Sequence, residues 1–264
     1  MILRTNLYKI LDDIAPLATQ EPWDNSGVQI ETAKAEVGTI LVALELNESV
    51  AREAVSCGAD IVITHHPLFF GEVTSLRADD PTGRAAMTLV KSGISAYATH
   101  TPFDKAEKGN NACLAEKLGL IECGGLTADG GSVELIGGVG KMPAAVKLGD
   151  FVRYVAKVLG IEGRRIHAVG DADRLVQIVG FCTGAGCDRE SIDAAIESGC
   201  DVFVTGDVKY HDARYAKDLG LALVDAGHYG TEYIFTENMA RLLREKLGTN
   251  ATVVESKIDL NPWM

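Results

Sequence analysis

The run Ile40-Leu41-Val42-Ala43-Leu44-Glu45-Leu46 leads into Asn47, a helical pattern, Gly58 and a second apolar run, Ile61-Val62-Ile63-Thr64, which stops at His65-His66-Pro67. This order reads as strand, helix, strand. The Asn47 side-chain oxygen suits the start of a helix, where it accepts from a free backbone N–H, and Gly58 suits the left-handed residue that ends one. The same order returns downstream: Leu175 to Phe181 is apolar, Asp188 stands at the cap, Gly199 at the stop, and Val202-Phe203-Val204-Thr205 is the next strand. Asn47 and Asp188, Gly58 and Gly199, Asp60 and Asp201, and Thr64 and Thr205 are each 141 positions apart, since 188 − 47, 199 − 58, 201 − 60 and 205 − 64 all give 141.

Both copies continue alike. A helical stretch (Arg84 to Lys91; Ala213 to Leu219) and a glycine (Gly93; Gly220) precede a short apolar strand (Ile94 to Ala98; Leu221 to Val224) that runs into a histidine. His100 is followed four residues on by Asp104, and His228 four residues on by Glu232. Alternating strands and helices of these lengths predict an α/β protein, duplicated, with mostly parallel sheets covered by helices. Gly124-Gly125, Gly130-Gly131 and Gly137-Gly138 read as loops or tight turns, which places the division near residue 125: a first half at 1–125 and a second at 126–264. Leu7, Ile10, Leu11 and Ile14 predict a leading helix that Pro16 stops, and a strand at Val133 to Val139, a helix near Asp150 to Leu159 and a segment at Ile166 to Val169 open the second half.

The chain has 264 residues, 47% of them hydrophobic and 23% charged, so a packed core is expected and general disorder is excluded. Its net charge of −12 disfavours nucleic acid as a partner. No apolar run is long enough to span a bilayer and no export leader opens the chain, so a cytoplasmic location is expected. Cys57, Cys113, Cys123, Cys182, Cys187 and Cys200 form no Cys-x-x-Cys pair and read as reduced structural thiols.

Ligands of open α/β sheets gather beyond the carboxyl ends of the strands, where this pattern places His65, His66, His100, Asp104, Asp207, His211, His228 and Glu232. Adjacent side chains of an extended strand point to opposite sides, so His65 and His66 are expected to serve different ions. His228 and Glu232 lie about one helical turn apart and can face one point. Three imidazoles and two carboxylates suffice for two divalent cations when one carboxylate bridges, and such a pair can activate water. His100 and His211 are then candidates for proton transfer or for orienting a ligand. Asp24 and Asn25 fit a capping or turn role at least as well as a place at the site. Gly137-Gly138-Val139-Gly140-Lys141 lacks the spacing of a phosphate loop and reads as a glycine turn, and Arg164, Arg165 and His167 read as a solvated basic face with neighbouring acids.

The chain resembles the GTP cyclohydrolase 1 type 2 homologues, the Nif-three-like (NGG-interacting-factor-three-like) proteins. The resemblance rests on Trp23-Asp24-Asn25-Ser26-Gly27, Thr64-His65-His66-Pro67, His100 to Asp104, Thr205-Gly206-Asp207, Tyr210-His211-Asp212-Ala213 and Asp225-Ala226-Gly227-His228-Tyr229-Gly230-Thr231-Glu232. It implies two interlocked α/β domains, a toroidal homohexamer, and two divalent metals held by His65, His66, Asp104, His228 and Glu232, with Glu232 bridging. The nitrogen and oxygen donor set suits zinc, iron, manganese or nickel. The implied activity is hydrolysis of GTP or another nucleotide-like small molecule by a metal-activated water; the alternative is a metal-dependent ring-forming binding or regulatory protein without turnover. One departure stands out: His100-Thr101-Pro102-Phe103-Asp104 has Pro102 where the family commonly has asparagine.

Overall fold

The structure is a computed structural model in which residues 1–263 are described. The chain opens with β1 (Ile2–Leu3), α1 (Arg4–Ile14), β2 (Gly27–Ile30), β3 (Glu36–Val37), β4 (Thr39–Ala43), α2 (Glu48–Ser56), β5 (Ile61–Thr64), α3 (Pro81–Lys91), β6 (Ser95–Ala98) and α4 (Thr101–Lys105). It continues through α5 (Asn110–Lys117), β7 (Ile121–Ala128), β8 (Val133–Lys147), α6 (Leu148–Val158), β9 (His167–Val169), β10 (Leu175–Phe181), α7 (Arg189–Glu197), β11 (Val202–Thr205), α8 (Tyr210–Leu219), β12 (Ala222–Asp225) and α9 (His228–Glu232). The last elements are α10 (Ile234–Leu247) and β13 (Thr252–Glu255).

These elements divide into two compact units, and the expected division is corrected in two ways. One unit comprises Met1–Gly109 with Ile234–Asn261, the other Asn110–Tyr233 with the residues from Pro262. The first crossing therefore falls at 109/110 rather than near 125, and the C-terminal helix and strand belong with the first unit. The reason is strand pairing: β13 adds to β4 in parallel, with Thr252 opposite Thr39 and Glu255 opposite Val42.

The sheet of the first unit runs β13-β4-β5-β6-β2. Its first four strands are parallel and only β2 is antiparallel. Every residue of β5 and β6 is buried, as expected where helices cover both faces. One side packs Leu41, Val62 and Ala96 against Val50, Ala51 and Ala54 of α2 and Ala85, Ala86 and Leu89 of α3. In the second unit the order is β7-β8-β10-β11-β12-β9, and here the expectation of a mostly parallel sheet fails: β10, β11 and β12 are parallel, but β7, β8 and β9 all pair antiparallel. Phe203 and Leu223 pack on Ile192, Ala194 and Ala195 of α7.

Residues 141 apart make the same bonds inside their own units. The Asn47 side chain accepts from the Val50 N–H at 3.0 Å and Asp188 from the Ser191 N–H at 2.9 Å, caps that contribute about 1 kcal/mol each. Asp60 accepts from the N–H groups of Gly38 and Thr39 at 2.6 and 2.9 Å, and Asp201 from those of Gln177 and Ile178 at 2.8 and 2.9 Å. Each aspartate thus pins the strand next to its own.

Two of the three glycine pairs are not turns. Gly124-Gly125 lies within β7 and Gly137-Gly138 within β8; only Gly130-Gly131 occupies the turn between them. A Cβ on Gly138 would come within 2.6 Å of the Phe181 ring, and one on Gly140 within 2.8 Å of Cys123 Sγ. Close approach inside the sheet, rather than chain reversal, explains these glycines. No described helix is long and apolar enough to cross a membrane. Burial pushes the Cys187 and Cys200 thiols up to about 12, which fits inert packing residues.

Candidate metal centre

In the first unit β5 stops at Thr64, and the N–H groups of His65 and His66 both donate to the Leu44 carbonyl at 3.0 Å. Two successive donors on one acceptor break the alternation of the pleat. The two imidazoles therefore do not diverge as expected: their centroids lie 5.1 Å apart, and one ring nitrogen each from His65, His66 and His100 falls within 4.8 Å of the others. His65 is fully buried. Its Nδ1 lies 3.0 Å from the Thr99 carbonyl oxygen, and its Nε2 lies 3.6 Å from Asp104 Oδ1.

That pair of distances carries chemical information. A carbonyl oxygen only accepts, so Nδ1 bears the proton and Nε2 turns its lone pair toward a carboxylate. Two acceptors facing each other call for a cation between them, or a second proton on the ring. Bonds of about 2.1 Å to one ion place neighbouring donors roughly 3.0–3.4 Å apart, close to the observed gap.

Asp104 is presented by α4, and His100 precedes that helix. Pro102 sits in the first turn, where the N–H it lacks has no partner within the helix, so the departure from the family pattern is compatible with the local fold. His100 is fastened from two sides. Its N–H donates to Ser26 Oγ at 2.9 Å, and its Nδ1 lies 3.0 Å from Oδ1 of the buried Asp24. Asp24 also accepts from the Asn25 N–H, the Ser26 hydroxyl, and the N–H and hydroxyl of Thr101. Burial pushes its carboxyl up, but the hydrogen bonds from His100, Thr101 and Ser26 outweigh that and hold it below the usual carboxylate range.

In the second unit β12 ends at Asp225, whose Oδ1 accepts from the Gly227 N–H at 3.0 Å, and α9 follows at once. His228 Nε2 lies 2.8 Å from Oε2 of Glu232, which is 3% exposed. His228 Nδ1 lies 2.8 Å from Asp207 Oδ2. With Nδ1 donating to Asp207, the Nε2 lone pair again meets a carboxylate. Asp207 holds a left-handed backbone, φ +54°, a strained state for a residue with a Cβ. Its contact with His228 Nδ1 is what ties Asp207 to the site. Replacing it, as Asp207→Asn, is expected to weaken divalent-metal affinity by about 10- to 100-fold with little change in melting temperature, measured by metal titration.

The structure thus gathers His65, His66, His100 and Asp104 in one unit, and His228 and Glu232 in the other. His211 is different: it lies exposed at the start of α8, edge-on to Tyr210. The basic group is only partly as expected, because Arg164 places its guanidinium 5.2 Å from the centre of the Tyr229 ring. Asp207 was legible as a residue beyond a strand end, and Asp24 as either a cap or turn residue or a part of the site; neither signals its histidine partner by spacing.

A mixed α/β protein with imidazole and carboxylate groups paired at the carboxyl ends of its strands is the class this geometry defines. Residues 2–262 match the model of the Duf34/NIF3 (NGG1p interacting factor 3) family, and the chain belongs to that family. A Clostridium perfringens protein named GTP cyclohydrolase 1 type 2 homolog is 29% identical over 98% of this chain and 97% of its own length. A Helicobacter pylori protein named GTP cyclohydrolase 1 type 2 is 30% identical over 92% of each chain. The crystal structure of a Bacillus cereus protein related to NIF3 superposes with a TM-score of 0.92 and 23% identity, covering 100% of this chain and 99% of the other, which speaks for the fold.

Proposed function

We propose that the chain is a metal-dependent hydrolase with a dinuclear centre held by His65, His66, Asp104, His228 and Glu232, Glu232 bridging, and that it acts on GTP or another nucleotide-like small molecule. The observation that carries this reading is the arrangement found twice: an imidazole whose Nδ1 is committed to an acceptor and whose Nε2 faces a carboxylate, His65 with Asp104 and His228 with Glu232. Hard oxygen and imidazole donors without thiolate suit zinc, iron, manganese or nickel. Cations bound there would supply Lewis acidity toward an attacking water. Asp207 fixes the His228 tautomer, and Asp24 fixes that of His100, so that His100 Nε2 is the nitrogen free to take or give a proton. His211 is proposed as a second proton-transfer residue. The reading extends to two interlocked, duplicated α/β units, assembly as a toroidal homohexamer, and residence in the cytoplasm.

Metal analysis of protein purified without a histidine tag tests it, together with a hydrolysis screen that includes GTP. Two divalent cations per chain are expected. Glu232→Gln should lose at least one of them and lower turnover by about 100-fold or more while the fold persists, as judged by circular dichroism. Fewer than one ion per chain under metal-replete conditions overturns the dinuclear centre. Two ions with no turnover in the screen favour a binding protein instead.

A further inference from the structure

Trp23 and Phe70 are exposed over 62% and 61% of their surface. Large aromatic side chains left in water ask for a reason. Both rings stand against the same imidazole: each centroid lies 5.7 Å from that of His100, with planes at 76° and 86° to it. Among the described residues the two rings make no stacking contact with each other. Asn25 joins the two loops that carry them, its Nδ2 donating to the Phe69 carbonyl at 2.7 Å. Phe70 also borders a cavity of about 290 Å³, whose rim includes Glu72, Thr74 and Asp80. That volume is at the small end of the range for ligand sites.

We propose that Trp23 and Phe70, with His100 between them and the ligand set, form a slot for the planar nitrogen heterocycle of a small-molecule substrate. The floor cannot follow the ligand, because Asp24 and Ser26 hold His100 by side chain and backbone. Exposed π-faces accept a flat ring whatever its pattern of polar atoms. Edge groups of such a ring find the His100 imidazole, against which both aromatic rings stand. A second copy of the chain would bury the same rings; the position of both against His100, a proton-transfer candidate, argues for a substrate. The slot rests on the hydrolase reading for its meaning, but its occupancy can be read without turnover.

In the metal-loaded protein carrying Trp263→Phe, Trp23 is the single tryptophan and reports directly. Guanosine and adenosine are expected to quench its emission saturably, and ribose 5-phosphate, which has no ring base, is not. Phe70→Ala should weaken nucleoside binding by about 10-fold or more, and Phe70→Tyr should restore it. Absence of saturable quenching, equal affinity in Phe70→Ala, or equal quenching by ribose 5-phosphate overturns the slot. So does a change of assembly size in Phe70→Ala with nucleoside affinity intact, which assigns the rings to a contact between copies. Glu232→Gln separates the two proposals: quenching retained with turnover lost supports both, whereas turnover without quenching in the protein that keeps Glu232 removes the slot alone.

Discussion

Gly184→Ala is expected to abolish cation binding at His228 and Glu232 and to lower the melting temperature by about 2–8 °C. Gly184 has φ +67°, a conformation that adds about 1–2 kcal/mol of strain once a Cβ is present, and each kcal/mol shifts melting by about 2–4 °C in a chain of this size. The larger effect is local. A Cβ at this position would lie 1.9 Å from Glu232 Oε1, and the backbone has little room to retreat, because the Gly184 N–H donates to the Thr231 hydroxyl and its carbonyl accepts from the Gly206 N–H, both at 2.9 Å. The carboxylate must therefore move. Gly199→Ala is the control: it carries similar strain at φ +73° but meets nothing within 4 Å. Comparable melting shifts are expected in both variants, with metal stoichiometry lost only in Gly184→Ala. Wild-type metal affinity in that variant would show that Glu232 is not a ligand.

Asp24→Ala should be strongly destabilising, by about 3 kcal/mol or more in urea unfolding. The carboxylate accepts from Asn25, Ser26, His100 and twice from Thr101, and its removal takes the acceptor from five donors, the two of Thr101 in a buried place. Asp24→Asn keeps the shape but turns an amide N–H₂ toward donors, so an intermediate loss is expected. The pH dependence gives an independent reading. The folded carboxyl titrates below its unfolded value near 3.9, so its stabilisation is complete above about pH 5 and fades as pH falls through that value toward the folded one. The stability gap between wild type and Asp24→Asn should therefore be constant above about pH 5 and narrow below about pH 4. A gap independent of pH down to 3 would mean that the network does not lower the carboxyl's pKa relative to the unfolded chain.

Much of this was legible before any coordinates. The offset between Asn47 and Asp188 carried a capping role that local sequence decides, and the caps are there in both units; the equal offset of Asp60 and Asp201 was visible, but not that each anchors a neighbouring strand. The parallel strands were equally readable, since buried strands on both faces need continuous apolar runs. What escaped were features decided by tertiary contact. Glycine in β7 and β8 answers to the Phe181 ring and to Cys123, which no local pattern announces. The turn of the chain at Gly109 is similar: a Cβ there would lie 1.7 Å from the Phe103 carbonyl oxygen, while nothing in the composition changes at that point. Asp207 was placed at the strand ends, but its conformation was not legible, because a positive φ leaves no mark on a residue that is not glycine. The expectation that His65 and His66 diverge failed for a related reason: periodicity says where a strand runs but not that both N–H groups will share the Leu44 carbonyl.

The return of the chain to its first unit has a bearing on biosynthesis. Asn110–Tyr233 is an uninterrupted stretch and holds all six strands of its own sheet, so it can close as soon as it leaves the ribosome. The N-terminal unit, although made earlier, must wait with one side of β4 unpaired until residues 252–255 emerge. The sheet begun first is thus the sheet completed last, and during that interval an open strand edge is available to any neighbouring chain.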